Sequence, residues 1–148
     1  MQERIDPAKD LLESVRGARL DMNRCQWKLE TIWSQCTRLT TQLHLTPSGG
    51  GDVHNDGLLL ALAEQQELLG TLYQQALEVE NRVERFIAGI PDDRYRAILR
   101  LRYLDLLRWP EVLEQLQKGG LYYSDRQMFR LHGESMQAAR KHYVDLYS

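Results

Sequence analysis

From Ala8 to Leu43 the chain carries an apolar seam of fixed period, and no other feature restricts its fold as strongly. Ala8, Leu11, Val15, Ala18, Met22, Cys25, Leu29, Ile32, Cys36, Leu39 and Leu43 are separated by alternating steps of three and four residues. Such a repeat lines its members along one stripe of an α-helix and would scatter them over both faces of a strand. The residues between them are largely Arg, Asp, Glu, Gln, Lys and Thr, as a solvated outer face requires. Asp6 and Pro7 suit an N-cap and a first helical turn. Gly17 is a weak point, costing about 1 kcal/mol relative to Ala. Trp27 and Trp33 lie off the seam, which predicts a wider apolar face turned toward a third element.

The seam then stops. Thr46-Pro47-Ser48-Gly49-Gly50-Gly51-Asp52 is loop chemistry, and Val53 to Gly57 are expected to complete a flexible, disordered loop over 46–57. A second seam follows: Leu58, Leu62, Gln65, Leu69, Leu72, Ala76, Val79, Val83, Phe86 and Ile90, with Gln65 its one polar member. Two helices of similar length joined by a short glycine-rich loop predict an antiparallel coiled-coil hairpin over residues 1–90. The seams fit packing within one chain. They also fit pairing with a second copy, since two helices bury little area by themselves.

Beyond Gly89 and Pro91 the pattern shortens. Asp92 and Asp93 suit the cap of a helix beginning near Asp93, with Tyr95, Ile98, Leu99, Leu101, Tyr103 and Leu104 as its apolar face. Trp109-Pro110-Glu111 opens a second helix, with Val112, Leu113 and Leu116 facing inward, and Gly119-Gly120 breaks it. Ser124 reads as the N-cap of a third, whose inner face is Met128, Leu131, Ser135 and Met136. The expected fold is all-α: a long antiparallel helical hairpin, then a small three-helix domain over 91–148.

Charge separates along the same line. Residues 1–92 hold nine Lys and Arg against fourteen Asp and Glu, a net of −5; residues 93–148 hold ten against seven, a net of +3. With a whole-chain charge of −2, bulk attraction to a polyanion is excluded. The C-terminal end alone has the balance expected of a nucleic-acid contact. Cys25 and Cys36 lie on one predicted helix with backbones about 16 Å apart. A disulfide needs about 7 Å or less, so they read as packing residues in a reducing compartment. The charged first ten residues do not resemble a signal peptide, and no stretch has the apolar length of a membrane span, so a cytoplasmic protein is expected. Signatures of nucleophilic, nucleotide-binding and dinucleotide-binding enzymes are missing, and the Gly49–Gly51 run has no lysine after it. His132 and His142 have no carboxylate or thiol at ligand spacing, so packing or a phosphate contact is expected of His132. The expectation is a non-enzymatic protein without cofactor or metal.

Three short helices, the last polar and arginine-bearing, are what a helix-turn-helix needs. The early outward positions of its third helix must reach base edges. Here they are Asp125, Arg126, Gln127 and Arg130 behind the Ser124 cap. Arg pairs bidentately with guanine and Gln with adenine, while Asp accepts from cytosine or caps the helix. Arg94, Arg96, Arg100, Arg102, Arg108, Lys118, Arg140 and Lys141 supply cations for phosphates, with Arg108 and Lys118 flanking the second helix. Trp109 reads as core, and the Tyr122-Tyr123 pair fits either a DNA contact or a cap on the small core.

Three stretches carry a resemblance: Ile98–Leu104 with Arg102-Tyr103, Trp109-Pro110-Glu111-Val112-Leu113, and Tyr123-Ser124-Asp125-Arg126 followed by Arg130-Leu131-His132-Gly133. Together they resemble a family of phage and prophage late transcription regulators, ArpU- and RinA-like, whose helix-turn-helix is similar to region 4 of sigma-70-type factors. The resemblance extends loosely upstream, through a heptad-rich half with a Pro-Ser-Gly break as at Pro47–Gly51. It implies sequence-specific binding of double-stranded DNA, regulation of phage or prophage genes, and contact with RNA polymerase. The chain departs from the family twice. Leu113 stands where a small residue is usual, and the 117–123 turn is about five residues longer than a tight helix-turn-helix turn. The competing expectation is a coiled-coil adaptor that binds a protein without binding DNA itself.

Overall fold

The computed structural model describes residues 5–45 and 52–148, with side chains for 5–38 and 56–148. Its elements are helix α1 (Pro7–Leu45), α2 (Asp52–Ala88), α3 (Asp93–Leu99), a π-helical turn (Arg100–Leu104), α4 (Trp109–Lys118) and α5 (Asp125–Tyr147). The fold is all-α, as the seams predict, and no strand occurs among the described residues.

Asp6 caps α1, its Oδ1 accepting the Lys9 amide at 3.2 Å. The first seam faces inward wherever its side chains are described: Ala8, Val15 and Cys25 are buried, and Leu11, Ala18, Met22, Leu29, Ile32 and Cys36 half-buried. Leu39 and Leu43 lie outside the described side chains. The predicted loop residues Thr46–Gly51 lie outside the described residues as well. Val53–Gly57, however, are helical, because α2 begins at Asp52. A glycine costs a helix about 1 kcal/mol, and a long helix gains one backbone bond per added residue, so Gly57 does not stop it.

By contacts the chain forms two compact units, residues 18–76 and residues 1–17 with 77–148. The expected boundary near residue 90 falls inside the second of these. Leu12 and Ile87 give the reason. Each stands one position off its seam, and each is fully buried in the same core as the C-terminal helices. The ends of the long helices are thus part of the C-terminal core rather than of a separate hairpin.

Unit 18–76 is a pair of antiparallel helical segments. The Cys25 thiol lies 3.6 Å from the Gln65 carbonyl and 3.7 Å from its side-chain oxygen, which gives the polar seam residue its partner. Leu29 and Leu62 line one groove. Both cysteines are free thiols. Among the described residues Trp27 and Trp33 do not meet a third element, contrary to the expectation from the seam. They are 64% and 60% exposed, because this unit contains only its two helices.

The other unit holds the main core, in which Val15, Val83, Phe86, Ile87 and Ile90 pack with Ile98, Leu99, Val112, Met128 and Leu131. Asp92 caps α3 and accepts the Arg94 amide at 2.9 Å. The predicted single helix from Asp93 changes pitch at Arg100, where the Asp105 amide bonds five residues back to the Arg100 carbonyl at 2.9 Å. The wider turn brings Tyr103 into the core.

Candidate nucleic-acid interface

Helix α4 ends by a rule that its glycines impose. The Leu121 amide donates to the Leu116 carbonyl at 2.9 Å and the Gly120 amide to the Gln117 carbonyl at 3.0 Å. This is a Schellman closure, and it needs a left-handed residue at Gly120, whose φ is 92°. Leu121 then turns back onto the core. Helix α4 runs on to Lys118, so the connection to α5 is shorter than the 117–123 turn read from sequence. Leu113, the large residue at the expected close contact, is partly buried against that core. The helices meet through aromatic rings: Trp109 lies edge-on to Phe129 at 5.2 Å and to His132 at 4.7 Å between centroids.

Helix α5 opens with a capping box. Ser124 Oγ accepts the Gln127 amide at 3.2 Å, and Gln127 Oε1 accepts the Ser124 amide at 2.9 Å. Of the nominated reading residues, Ser124 and Gln127 are therefore tied to each other. The Gln127 side chain is spent on the helix start and is not aimed outward at a base, a use that the Ser-x-x-Gln spacing itself signals. Asp125 is exposed in the first turn, where its charge suits the positive end of the helix dipole. Arg126 and Arg130 are exposed, one turn apart, and neither makes a hydrogen bond or ion pair with a described residue.

The phosphate-contact candidates are mostly engaged within the protein. Arg108 pairs with Glu111 at 2.7 Å and Lys118 with Glu114 at 3.3 Å. Both are surface pairs of small net energy, and Arg108 is 85% exposed, so both remain exchangeable for a phosphate. Arg94 pairs with Asp92, Arg100 with Glu84 and Arg140 with Asp6. Arg96 donates to the Ile90 carbonyl at 2.6 Å, and Arg102 to the Leu107 carbonyl at 2.9 Å. Lys141 is exposed and unpaired among the described residues. At helical spacing it falls on the same outer stripe as Arg126 and Arg130.

The sequence reading missed Phe129 and left the role of His132 open between packing and a phosphate contact. Phe129 is half-exposed beside Arg126 and Arg130, braced by Trp109. His132 is a packing residue, its Nε2 2.9 Å from the Tyr103 hydroxyl. Burial, and then the charges of Arg102, Lys9 and Arg140, push its pKa down to about 4. Tyr122 is 81% exposed while Tyr123 packs on the core, so of the two it is Tyr123 that covers the small core.

No protein-family model matches this chain, and no curated protein and no solved structure matches it either. No helix among the described residues is long and apolar enough to cross a membrane.

Proposed function

We propose that this chain is a sequence-specific DNA-binding regulator of transcription, of the phage and prophage kind that its C-terminal third resembles. The observation that carries the proposal is the outer face of α5. Arg126 and Arg130 stand exposed and unpaired one turn apart at the start of a capped helix, with Lys141 farther along the stripe. In this reading α5 enters the major groove by its N-terminal half. Arg126 and Arg130 read guanine edges, and Arg108 and Lys118 exchange their carboxylate partners for phosphates. Gln127 acts on the helix start and not on a base.

The helical pair of residues 18–76 joins two copies of the chain. Leu20, Trp27, Trp33, Leu60 and Tyr73 expose large apolar area on a two-helix unit, and a second copy would cover it. Two weak half-site readers joined in this way gain affinity through effective concentration. A contact with RNA polymerase belongs to the same reading and rests on the resemblance to sigma region 4.

Electrophoretic mobility or fluorescence anisotropy with duplex fragments and random competitor tests it. Selective binding that Arg126→Ala and Arg130→Ala abolish, with melting unchanged, is the expected result. Variants that bind as the wild type does would remove the recognition face and leave the coiled-coil adaptor as the better reading.

A further inference from the structure

A second site lies within the unit of residues 1–17 and 77–148, apart from Arg126 and Arg130. It is a cleft of about 210 Å³. The start of α1 forms one wall, and the π-helical turn with the beginnings of α4 and the middle of α5 forms the other. Three cations line it, Lys9, Arg16 and Arg102, against one carboxylate, Glu13. Its rings are Tyr103, Trp109 and His132.

We propose that this cleft binds a compact phosphate-type dianion, either free phosphate or the phosphate of a small ester. The charge balance is a formal +2, and neither Lys9 nor Arg16 makes an ion pair with a described residue. Arg102 is preorganised: its guanidinium lies 4.5 Å from the centre of the Trp109 ring while Nη1 holds the Leu107 carbonyl. A fixed planar fork beside two cations with no ion pair among the described residues is the chemistry that recognises tetrahedral oxyanions. The field at His132 agrees, because after burial its pKa is lowered by Arg102, Lys9 and Arg140, while at the neighbouring Tyr103 hydroxyl the Glu13 carboxylate acts in the opposite sense. The volume is below the roughly 300–1,000 Å³ of drug-sized pockets, so the ligand is compact.

The backbone of the wall is unusual in the same place. Arg102 and Tyr103 stand on the π-helical turn, and Leu106, which also lines the cleft, has a φ of 55°. It is the one non-glycine with positive φ among the described residues. A β-carbon in that region costs about 1–2 kcal/mol, and such strain persists where the surroundings hold a site in place. Without the π turn, Arg102 and Tyr103 would not keep these positions on the helix.

The test is a titration of the isotopically labelled full chain at constant ionic strength. It follows the indole resonance of Trp109, identified by Trp109→Phe, and the ring resonances of His132. The probes are inorganic phosphate and phenyl phosphate, with sodium chloride as the control. Saturable shifts with either probe are expected, and the tighter of the two distinguishes free phosphate from an ester. Lys9→Gln and Arg16→Gln should each weaken binding by about tenfold. Both residues are exposed on α1, so helicity by circular dichroism should be retained. Saturation should also raise the His132 pKa by about one unit or more. Chloride producing the same shifts, or Arg16→Gln binding as the wild type does, would overturn the proposal. Displacement of phosphate by duplex DNA would overturn it too and would give the cleft to the DNA backbone. Arg126→Ala and Arg130→Ala should leave phosphate binding intact, so failure of the DNA reading and failure of this one are separately visible.

Discussion

His132 shows how one residue can be settled by surroundings that its neighbours in sequence do not reveal. It is packed between Tyr103 and Trp109, and its ring is held neutral down to about pH 4, against an ordinary value of 6.5. The unfolded chain therefore binds a proton on this ring near pH 6.5 that the folded chain refuses until about 4. Between those values the unfolded state carries more protons. Stability is full above about pH 6.5 and falls as the pH drops toward 4. Solvent reaches part of the ring, which discounts the loss to about 1–2 kcal/mol. Denaturant unfolding at pH 7.5 and 4.5 should show His132→Gln losing less stability on acidification than the wild type; equal losses would place the acid sensitivity elsewhere. Gln127 makes the same point by its hydrogen bonds. Gln127→Ala should cost about 0.5–1 kcal/mol of stability, read by thermal melting, while leaving base selectivity unchanged. A change in preferred sequence at constant stability would return Gln127 to the reading face. The Ser-x-x-Gln spacing was visible in sequence; its competition with a base contact was resolved only by the two reciprocal bonds.

At the scale of elements, helix ends were the most legible parts. Asp6, Asp92 and Ser124 cap α1, α3 and α5, as their types and positions foretell. The connection between α4 and α5 was legible as a break but not as a closure, because the Schellman bonds depend on Gly120 being left-handed. Gly120→Ala should destabilise the protein by about 1–2 kcal/mol, measured by chemical denaturation, since the substituted residue must keep a φ of 92°. Gly89 is constrained by space instead. A β-carbon there would meet Nε2 of His142 at 2.5 Å, and that ring already packs at a tilt on Phe86, 5.0 Å between centroids. Gly89→Ala should cost about 1–3 kcal/mol unless His142 swings away, and His142→Ala should restore most of the loss. Neither the π turn nor Leu106 has a sequence signature. The leucine-rich stretch Leu99–Leu107, interrupted by Arg100, Arg102 and Asp105, fits more than one helical pitch, and only the packing around it chooses the extra residue per turn.

For the whole molecule, the cations available to a polyanion are fewer than the composition suggests. Of ten Lys and Arg in residues 93–148, Arg94, Arg96, Arg100, Arg102 and Arg140 are held by partners inside the fold. Arg126, Arg130 and Lys141 have no partner among the described residues, and Arg108 and Lys118 are exchangeable. Three to five phosphates per chain predict a slope of log affinity against log salt of about −3 to −4.5 for one chain, and twice that for a pair reading two half-sites. A slope near zero would argue against any backbone contact. Light scattering should likewise find a dimer that Trp27→Ala with Trp33→Ala converts to monomer without loss of helicity. A wild-type monomer would remove the second copy from the proposal.

The sequence by itself determined that the chain is helical, where α1, α3, α4 and α5 begin, and which stripe of each long helix turns inward. Those properties follow from local periodicity and capping, which act over a few residues. Tertiary structure alone decided that Leu12 and Ile87, each one position off its seam, join the C-terminal core, that Trp27 and Trp33 stay exposed, and that the arginines divide into engaged and exposed. It also decided that Lys9 and Arg16 come to face Arg102. These outcomes depend on contacts between segments far apart in the chain, where burial and charge pairing, not local preference, choose the arrangement.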